Sequence, residues 1–444
     1  LGRRKLLLVI IIFGIMVLFV SPLATNAPMP ADKPVAAPEK TQDPGEASPS
    51  SPPLTEDPAV LQVAAVADED GMALLEQQSA KVSAVHPEIR VEWQRIDPGE
   101  ADFAELSDEL DGADIVLLPN EQVKPLAVAG SLLPVDSAYP GEALSEQFGV
   151  LLSQMKWNGY LWGVPRDFDP YVLVWNRNVL ASARPDAPQS IPSGPAQWAE
   201  WPQKLAEKGV NASWLALDPS DPYALLAWIG EVTGKRQDEW LEPAEAGADA
   251  AWSSQSYEQA LTLLSQQRGG IALASPGGTF WTAFAAGQYG AAVVRNSQAV
   301  KGLAELPASA ASSLRIDRSA WETPFVWPNG ESFVLSAWTG NEDAAMTWIS
   351  EMTGRDQQSD MARETGRLPV YRSLYESGAG DLPDLSGAGA QRFPNQAPLS
   401  VAPDLPEKLR TLGTLLKQWT SGTPVFAEWK GQWATLLAKA ENDG

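Results

Sequence analysis

The chain has 444 residues, more than one hydrophobic core usually holds, so two lobes are expected. A formal charge of -24 argues against a nucleic-acid partner, whose phosphates reward clustered Lys and Arg. With no cysteine and a single histidine, disulfides, thiolate zinc centres, cysteine nucleophiles and iron–sulfur clusters are excluded, and neither a metal nor a cofactor is expected.

The first residues read as an address. Arg3, Arg4 and Lys5 precede the apolar run Leu6 to Val20, a basic stretch ahead of a hydrophobic core. Residues 1–24 are taken as a signal or anchor segment, with "ATNA", Ala24 to Ala27, as a candidate cleavage site. Positive charge stays inside, so the rest is expected outside the cytoplasm, secreted or anchored to the outer face of the membrane. Residues 25–59 carry nine prolines and no aromatic side chain. Such a stretch cannot bury enough apolar surface to order and reads as a spacer, of most use if Leu6 to Val20 remains in the membrane.

From Val60 the pattern alternates. "VLQVAAVA" reads as a buried strand and "EDGMALLEQQSAKVSAVHP" as a helix ended by Pro87. "IRVEWQRI" is a strand, "DFAELSDELDG" a helix closing at Gly112, "ADIVLLP" a third strand, and "NEQVKPLAVAG" a helix with Gly130 as its C-cap. Strands alternating with helices predict an α/β fold with a parallel sheet covered on both faces. In such sheets ligands gather at the carboxyl ends of the strands, here Asp68-Glu69-Asp70, Asp97 and Pro119-Asn120-Glu121. His86, before Pro87, reads as a surface histidine between a helix and a strand. No G-x-S-x-G elbow accompanies it as part of a hydrolytic triad.

"WGVPRDFDPYVLVWNRN", Trp162 to Asn178, sets Arg166, Asp167 and Asp169 directly before the apolar run Val172 to Trp175. A second α/β region follows. "SIPSGPAQWAEWPQKLAEKGV" is a loop and helix, "ASWLALD" a strand, and "PYALLAWIGEVTG" a helix closing at Gly234. "SYEQALTLLSQQ" is a helix, and "FWTAFAAGQYGAAVVRN" gives a helix, a glycine turn and a strand ending at Asn296. Beyond Glu331 come a strand, a helix capped by Asn341 with Glu342 and Asp343 in its first turn, and another helix. The chain from about Leu405 is helical.

Five stretches in this order carry a family resemblance: "HPEIRVEW", "ADIVLLPNEQVKPLAVAGSLLPVD", "WNGYLWGVPRDFDPYVLVWNRNVL", "GQYGAAVVRN" and "AAMTWISEMTGRDQQSDMARETGRLPV". Together they resemble the extracytoplasmic solute-binding proteins of ABC importers, in the carbohydrate-binding group that includes the maltose- and oligosaccharide-binding proteins. The resemblance implies a two-lobed periplasmic-binding-protein type II fold that closes on its ligand about a hinge. Lobe 1 would span 60–168 and return at 328–380, lobe 2 would span 169–327, and 381–444 would be a helical segment packed on the lobes. The strand from Val172 to Asn176 would cross between the lobes.

The resemblance also implies ligand contacts. Asp169 matches an acid that accepts sugar hydroxyls and is expected to be solvated in the empty cleft; Asp167 either shares that role, faces solvent or pairs with Arg166. Asp221 and Tyr223 in "DPSDPYALLAWI" resemble an acid–aromatic pair that bonds and covers a sugar ring, although Asp221-Pro222 is equally a plain helix start. Asn120 and Glu121 match a contact region at the third strand's exit, with helix capping as the plain alternative. Asp68 and Glu69 match the first loop. At "VVRNSQAV", after Asn296, Ser297 stands where maltose binders place a stacking tryptophan, so Trp281 or Trp327 would supply the face. Trp327, Asn329 and Glu331 in "FVWPNGESF" complete the cleft candidates, with a turn at Pro328-Asn329-Gly330 as the bland reading.

The function implied is a monomeric binding protein, not an enzyme, that delivers a carbohydrate to an ABC permease. A membrane-tethered carbohydrate sensor facing a signalling receptor is the runner-up. A glycosidase is weaker still, since two carboxylates do not by themselves set the separation and raised pKa that hydrolysis needs.

Overall fold

The computed structural model describes residues 58–97, 112–139, 143–188, 190–237, 255–376, 382–383, 385, 392–396, 402–421, 428, 431–432 and 435. The N-terminal segment, the proline-rich stretch and the helix expected at 102–112 lie outside these residues, apart from Pro58, Ala59 and Gly112. Among the described residues no helix is long and apolar enough to cross a membrane.

Thirteen strands form among the described residues. The first seven are β1 (Ala59–Val66), β2 (Ile89–Ile96), β3 (Ile115–Pro119), β4 (Leu132–Leu133), β5 (Lys156–Trp157), β6 (Tyr160–Leu161) and β7 (Val164–Pro165). Then come β8 (Tyr171–Asn176), β9 (Leu215–Leu217), β10 (Ile271–Leu273), β11 (Ala291–Arg295), β12 (Leu314–Asp317) and β13 (Glu331–Ser336). One sheet runs β2-β1-β3-β13-β4, with β7 on β13; the other runs β10-β9-β11-β8-β12. β5 and β6 form a separate hairpin. The larger helices are α1 (Glu69–Val85), α2 (Val123–Val128), α3 (Gly194–Glu207), α4 (Pro222–Thr233) and α5 (Gln255–Gln266), followed by α6 (Phe280–Ala285), α7 (Asn296–Glu305), α8 (Glu342–Met352), α9 (Arg355–Thr365) and α10 (Leu405–Ser421).

Neither sheet is wholly parallel, which corrects the expectation from alternation. β1 pairs parallel with β2 and β3, but β13 runs antiparallel to β3, β4 and β7. β9 pairs parallel with β10 and β11, but β8 runs antiparallel to β11 and β12. The inverted strands are the ones that enter each sheet from the other lobe. Without a helical crossover over the same sheet, nothing imposes the parallel direction on them. A second correction concerns β8, whose six residues are all buried inside the second sheet. It is a core strand, as its unbroken apolar run requires for a strand covered on both faces. The passage between lobes is the stretch just before it, Arg166 to Pro170.

Local chemistry sets the helix ends. Asp68 Oδ1 accepts from Gly71 N at 2.7 Å to open α1. Asp221 Oδ1 accepts from Tyr223 N at 3.1 Å, with Pro222 at the first helical position of α4, and Gly234 closes α4 at φ +63°. Asn341 holds the N-cap position of α8 but does not cap with its side chain; its Nδ2 donates to Val60 O at 3.3 Å instead. The helix expected at "NEQVKPLAVAG" begins as a 3-10 turn, Asn120–Gln122, which passes into α2.

Each sheet has its own core. The first gathers Leu61, Val63, Ile115, Leu117, Phe333 and Trp348 among others. The second centres on five fully buried tryptophans: Trp175, Trp198, Trp201, Trp214 and Trp228. Trp175 stacks at a tilt on Trp198 with ring centroids 5.2 Å apart, and Trp201 Nε1 donates to Trp214 O at 2.9 Å. Burying an indole of roughly 150–250 Å² stabilises the fold by about 4–6 kcal/mol at most, so this cluster dominates the second lobe. Leu405, Leu409, Leu412 and Leu416 of α10 join the same core.

Candidate functional site

Three stretches of chain meet where the sheets adjoin: Arg166 to Pro170, Trp327 to Glu331, and Gly366 to Leu368. Their backbones are sewn together. Arg166 N donates to Glu331 O at 2.9 Å, Asp169 N to Pro328 O at 2.9 Å, and Phe168 and Leu368 exchange both of their bonds at 3.0 and 2.9 Å. Gly330, at φ +101°, is forced to be glycine, because a Cβ there would lie 2.2 Å from Asp167 O.

This seam carries an ion network, in which Arg166 Nε alone is buried without an acceptor. Asp167 has no solvent exposure. Its Oδ1 accepts from Arg367 Nη1 at 3.0 Å and from Glu331 N at 3.2 Å, and its Oδ2 accepts from Arg166 Nη1 at 3.3 Å. Arg367 Nη2 donates to Glu331 Oε1 at 2.9 Å, and Arg166 Nη2 donates to Gln78 Oε1 of α1 at 3.2 Å. Burial lowers the Arg367 pKa, but Asp167 and Glu331 outweigh it and the guanidinium is held further into its charged form. Burial raises Glu331, against the pull of Arg367. Of the alternatives for Asp167, the structure has it buried and paired with Arg166, away from solvent.

Asp169 departs from its expectation. It is buried rather than solvated. Its Oδ1 accepts from Ser297 N at 2.9 Å and its Oδ2 from Ser297 Oγ at 2.5 Å, so both oxygens are engaged at the N-terminus of α7. Burial raises its pKa, opposed by Arg367, Arg295 and the Ser297 bonds.

Asn120 and Asn296 use both ends of their amides, whereas Asn329 only donates, to Asp169 O and Trp327 O at 3.4 Å. Asn120 Nδ2 donates to Asn329 O at 2.8 Å and its Oδ1 accepts from Ser332 Oγ at 2.6 Å. Asn296 Nδ2 donates to Gly366 O at 2.8 Å while its Oδ1 accepts from Arg318 Nη2 at 2.9 Å. Asn329, at φ +51°, forms the turn that returns the chain to β13. Trp281 is not in the cleft: it packs in the second core against Phe280, with its indole over Gly302 of α7. Asp68 and Glu69 are exposed at the end of β1, Asp68 as a helix cap.

A different set shares one surface between the lobes. From the second lobe come Tyr171, Asp221, Tyr223 and Arg295. Tyr171 Oη donates to Asp221, Arg295 Nε donates to Tyr171 Oη at 3.3 Å, and Arg295 Nη2 lies 3.7 Å from Asp221 Oδ2. Tyr171, followed by Asp221 and Asp169, pushes the Arg295 pKa further up against its desolvation. Tyr223 lies against Trp327 with ring centroids 5.6 Å apart at 55°, and Phe325 meets Trp327 edge-on at 5.4 Å. From the first lobe comes Glu121, beside the seam because Pro119 pairs with Glu331 across β3 and β13. Burial raises the Glu121 pKa, and the charges of Asp221 and Glu331 raise it further; its own backbone N–H and Arg295 oppose them.

Two groups here lack a partner on another residue. The Glu121 carboxylate accepts from its own backbone N–H and has no ion-pair partner among the described residues. The indole N–H of Trp327 is buried without an acceptor. A carboxylate in the neighbourhood of Tyr223, Asp221 and Arg295 can accept hydroxyl protons while aromatic rings cover an apolar face. At the mouth, Lys301 Nζ of α7 lies 2.5 Å from Asp70 Oδ2 of α1, an exposed ion pair joining the lobes.

Tyr171, Arg295 and Arg367 were missed in the sequence. Arg295 could have been found, since it ends β11 as Glu121 follows β3. Arg367 had only the signal of standing in the "GRLPV" stretch.

Residues 83–383 match the family described as bacterial extracellular solute-binding protein. A comparison with curated proteins finds no significant match in sequence. Among solved structures, the chain is similar to the GacH receptor of Streptomyces glaucescens, solved unliganded and with acarbose, at 16% identity and a TM-score of 0.67, covering 86% of this chain and 98% of that one. It is similar to the sugar-binding protein MalE of Xanthomonas citri at 18% identity and a TM-score of 0.62, covering 86% and 98%. It is also similar to the maltotriose-binding protein of Thermus thermophilus at 17% identity and a TM-score of 0.62, covering 86% and 99%. At these identities the likeness establishes the two-lobed fold.

Proposed function

Since the chain belongs to the bacterial extracellular solute-binding proteins, we propose that it captures a carbohydrate between its lobes and hands it to an ABC importer. The observation that supports this reading is that Tyr223, packed on Trp327, shares one region with the carboxylates of Glu121 and Asp221 and with Arg295. Carboxylates take hydroxyl protons, the rings cover the C–H face of a pyranose, and Trp327 Nε1 supplies a donor. Sugar binding by the similar proteins of Streptomyces, Xanthomonas and Thermus points the same way.

In this reading Glu121, Tyr223 and Trp327 meet the ligand, while Asp221 and Glu331 stay with Arg295 and Arg367 at its edge. Asp167, Asp169, Asn120, Asn296 and Asn329 hold the seam, Trp281 belongs to the core, and Asp68 and Glu69 lie at the rim. The protein acts as a monomer without chemical turnover, outside the cytoplasm, and Leu6 to Val20 tethers it to the membrane. A thermal-shift screen over neutral mono- and oligosaccharides tests the central point. A ligand bound only by the folded state raises the melting temperature, by the equivalent of about 2.7 kcal/mol at a hundred times Kd. A set of sugars that leaves the melting temperature unmoved, while a peptide or an amino acid raises it, would overturn the carbohydrate reading.

A further inference from the structure

Two separately cored sheets joined by three short stretches of backbone can turn on that seam as rigid bodies. α7 shows how the second lobe is held against the first. Its opening turn is fixed at the seam, where Asn296 Nδ2 donates to Gly366 O at 2.8 Å. Val300 closes over Gly366, where an added Cβ would lie 2.8 Å from its side chain. One residue on, Lys301 reaches past the seam, and its Nζ meets Asp70 Oδ2 in the first turn of α1 at 2.5 Å. α1 is itself fixed at the seam by Gln78, whose Oε1 accepts from Arg166 Nη2 at 3.2 Å. Asp70 precedes Gln78 by about 12 Å along the helix axis. Turning the lobes by roughly 15–20° about the seam would part Lys301 from Asp70 by about 3–4 Å, while the bonds at Gln78 and Asn296 stay near the axis.

Both partners are exposed, with 48% and 77% of their side chains open to solvent, so salt screens the bond. Carboxylates surround the lysine: Asp70 and Asp68 act on it from the first lobe and Glu305 from its own helix. Without its charge, Asp68 and Asp70 would meet Glu305 across the mouth as like charges. We propose that the Lys301–Asp70 pair is a salt-sensitive latch that holds the two lobes in the arrangement seen here. Exposed pairs of this kind shift an equilibrium by about 1.5- to fivefold, so the latch tunes the closed population without locking it. A solute gripped by both walls is bound only by that population, and its apparent affinity changes by the same factor. The latch acts whatever solute fills the cleft, so its test needs none.

The chain has no cysteine, so nitroxide labels go only to cysteines introduced for them. Ala73 and Ala304 are exposed, and each stands one turn beyond a latch partner on the same helix face. Ala73→Cys with Ala304→Cys in the full chain forms the reporter, and dipolar broadening of its spectrum reads how close the two helices lie. Broadening is expected at about 20 mM salt and should weaken at about 0.5 M, as the ratio of closed to open lobes drops about two- to fivefold. Lys301→Met and Asp70→Asn should each reproduce that drop at low salt. Lys301→Glu should lower it further, and adding Asp70→Lys should restore it. Lys81→Met is the control, since it removes an exposed pair with Asp360 at 2.6 Å between α1 and α9, which the Gln78 and Gln357 bonds already join. It should leave the broadening unchanged. Melting temperatures within about 2 °C of the parent show that the variants are folded, and the salt series on the parent reads the latch without any of them. Broadening that is absent from the parent, or that neither salt nor Lys301→Met moves, would overturn the latch. An equal drop in Lys81→Met would make the effect one of general surface charge and overturn it too. So would a charge-swapped pair that fails to restore the broadening.

Discussion

The seam between the lobes and the cleft wall beside it are built from the same residue types, and they differ in how completely those residues are used. In the seam, Asp167, Glu331, Arg166 and Arg367 consume one another's charges, and Asn120 and Asn296 use their amides at both ends. On the wall, the Trp327 indole N–H has no acceptor and the Glu121 carboxylate is met only by its own backbone N–H. Leaving a buried polar group unpaired costs about 1–3 kcal/mol, and such groups also occur away from the wall, at Arg166 Nε in the seam and at the indole N–H of Trp175, Trp198 and Trp228 in the second core. What sets the wall apart is that its carboxylate at Glu121 has no cation partner among the described residues.

The largest way to break this contrast is at the seam. Arg367→Ala strands Asp167 and Glu331 as buried carboxylates, and urea unfolding should show a loss of about 3–5 kcal/mol. A loss under about 1 kcal/mol would mean that the network is not what holds the seam.

A partly buried acid near the other end of α4 provides a reference. Burial and the neighbouring Asp317 push Glu231 of α4 up to about 7 from an ordinary 4.5. Between those two values the folded chain holds a proton that the unfolded chain has released, so stability is greatest below about 4.5 and falls as pH rises to about 7. The difference between wild type and Glu231→Gln across that window should reach up to about 3 kcal/mol by thermal melts, with the variant the more stable at pH above 7. Parallel pH curves for the two proteins would contradict the assignment.

Asp169→Ala comes next. It removes the acceptors for Ser297 N and Oγ at the start of α7, and without ligand it should cost about 1–2 kcal/mol in chemical denaturation, the usual effect of a lost helix cap. An unchanged midpoint would return Asp169 to the ligand. Smallest of all is Glu121→Gln. Removing a desolvated charge that has no cation partner should leave stability within about 0.5 kcal/mol of wild type or slightly above it, and a larger loss would mean that Glu121 is part of the frame.

The contrast also marks what was legible in the sequence. The unbroken run Val172 to Trp175 and the Asp221-Pro222 helix start speak through local rules of burial and capping, and both were read as a strand and a helix start. The site itself was only half legible. Asp167 and Asp169 look like ligand acids because they stand at a strand mouth, and what occupies them comes from far away: Arg367 lies 200 residues from Asp167, and Ser297 lies 128 residues from Asp169. No local pattern encodes those meetings. Trp281 shows the same limit for aromatics, since a ring that fills a core and a ring that covers a ligand obey the same spacing. The short strands β10 and β12, of three and four residues, were missed because so few positions carry no period. The antiparallel strands β8 and β13 follow from chain routing between lobes, which alternation of elements does not express.

The central claim is that ligand meets the unpaired groups and leaves the paired ones alone, and a crystal structure with the sugar selected by the thermal-shift screen tests it most directly. The account predicts ligand polar atoms within about 3.2 Å of the Glu121 carboxylate and of Trp327 Nε1. It also predicts that the Arg367–Asp167 and Ser297–Asp169 bonds remain in place. A ligand seated on Asp167 or Asp169 with those bonds broken, and with Glu121 still unpartnered, would contradict it.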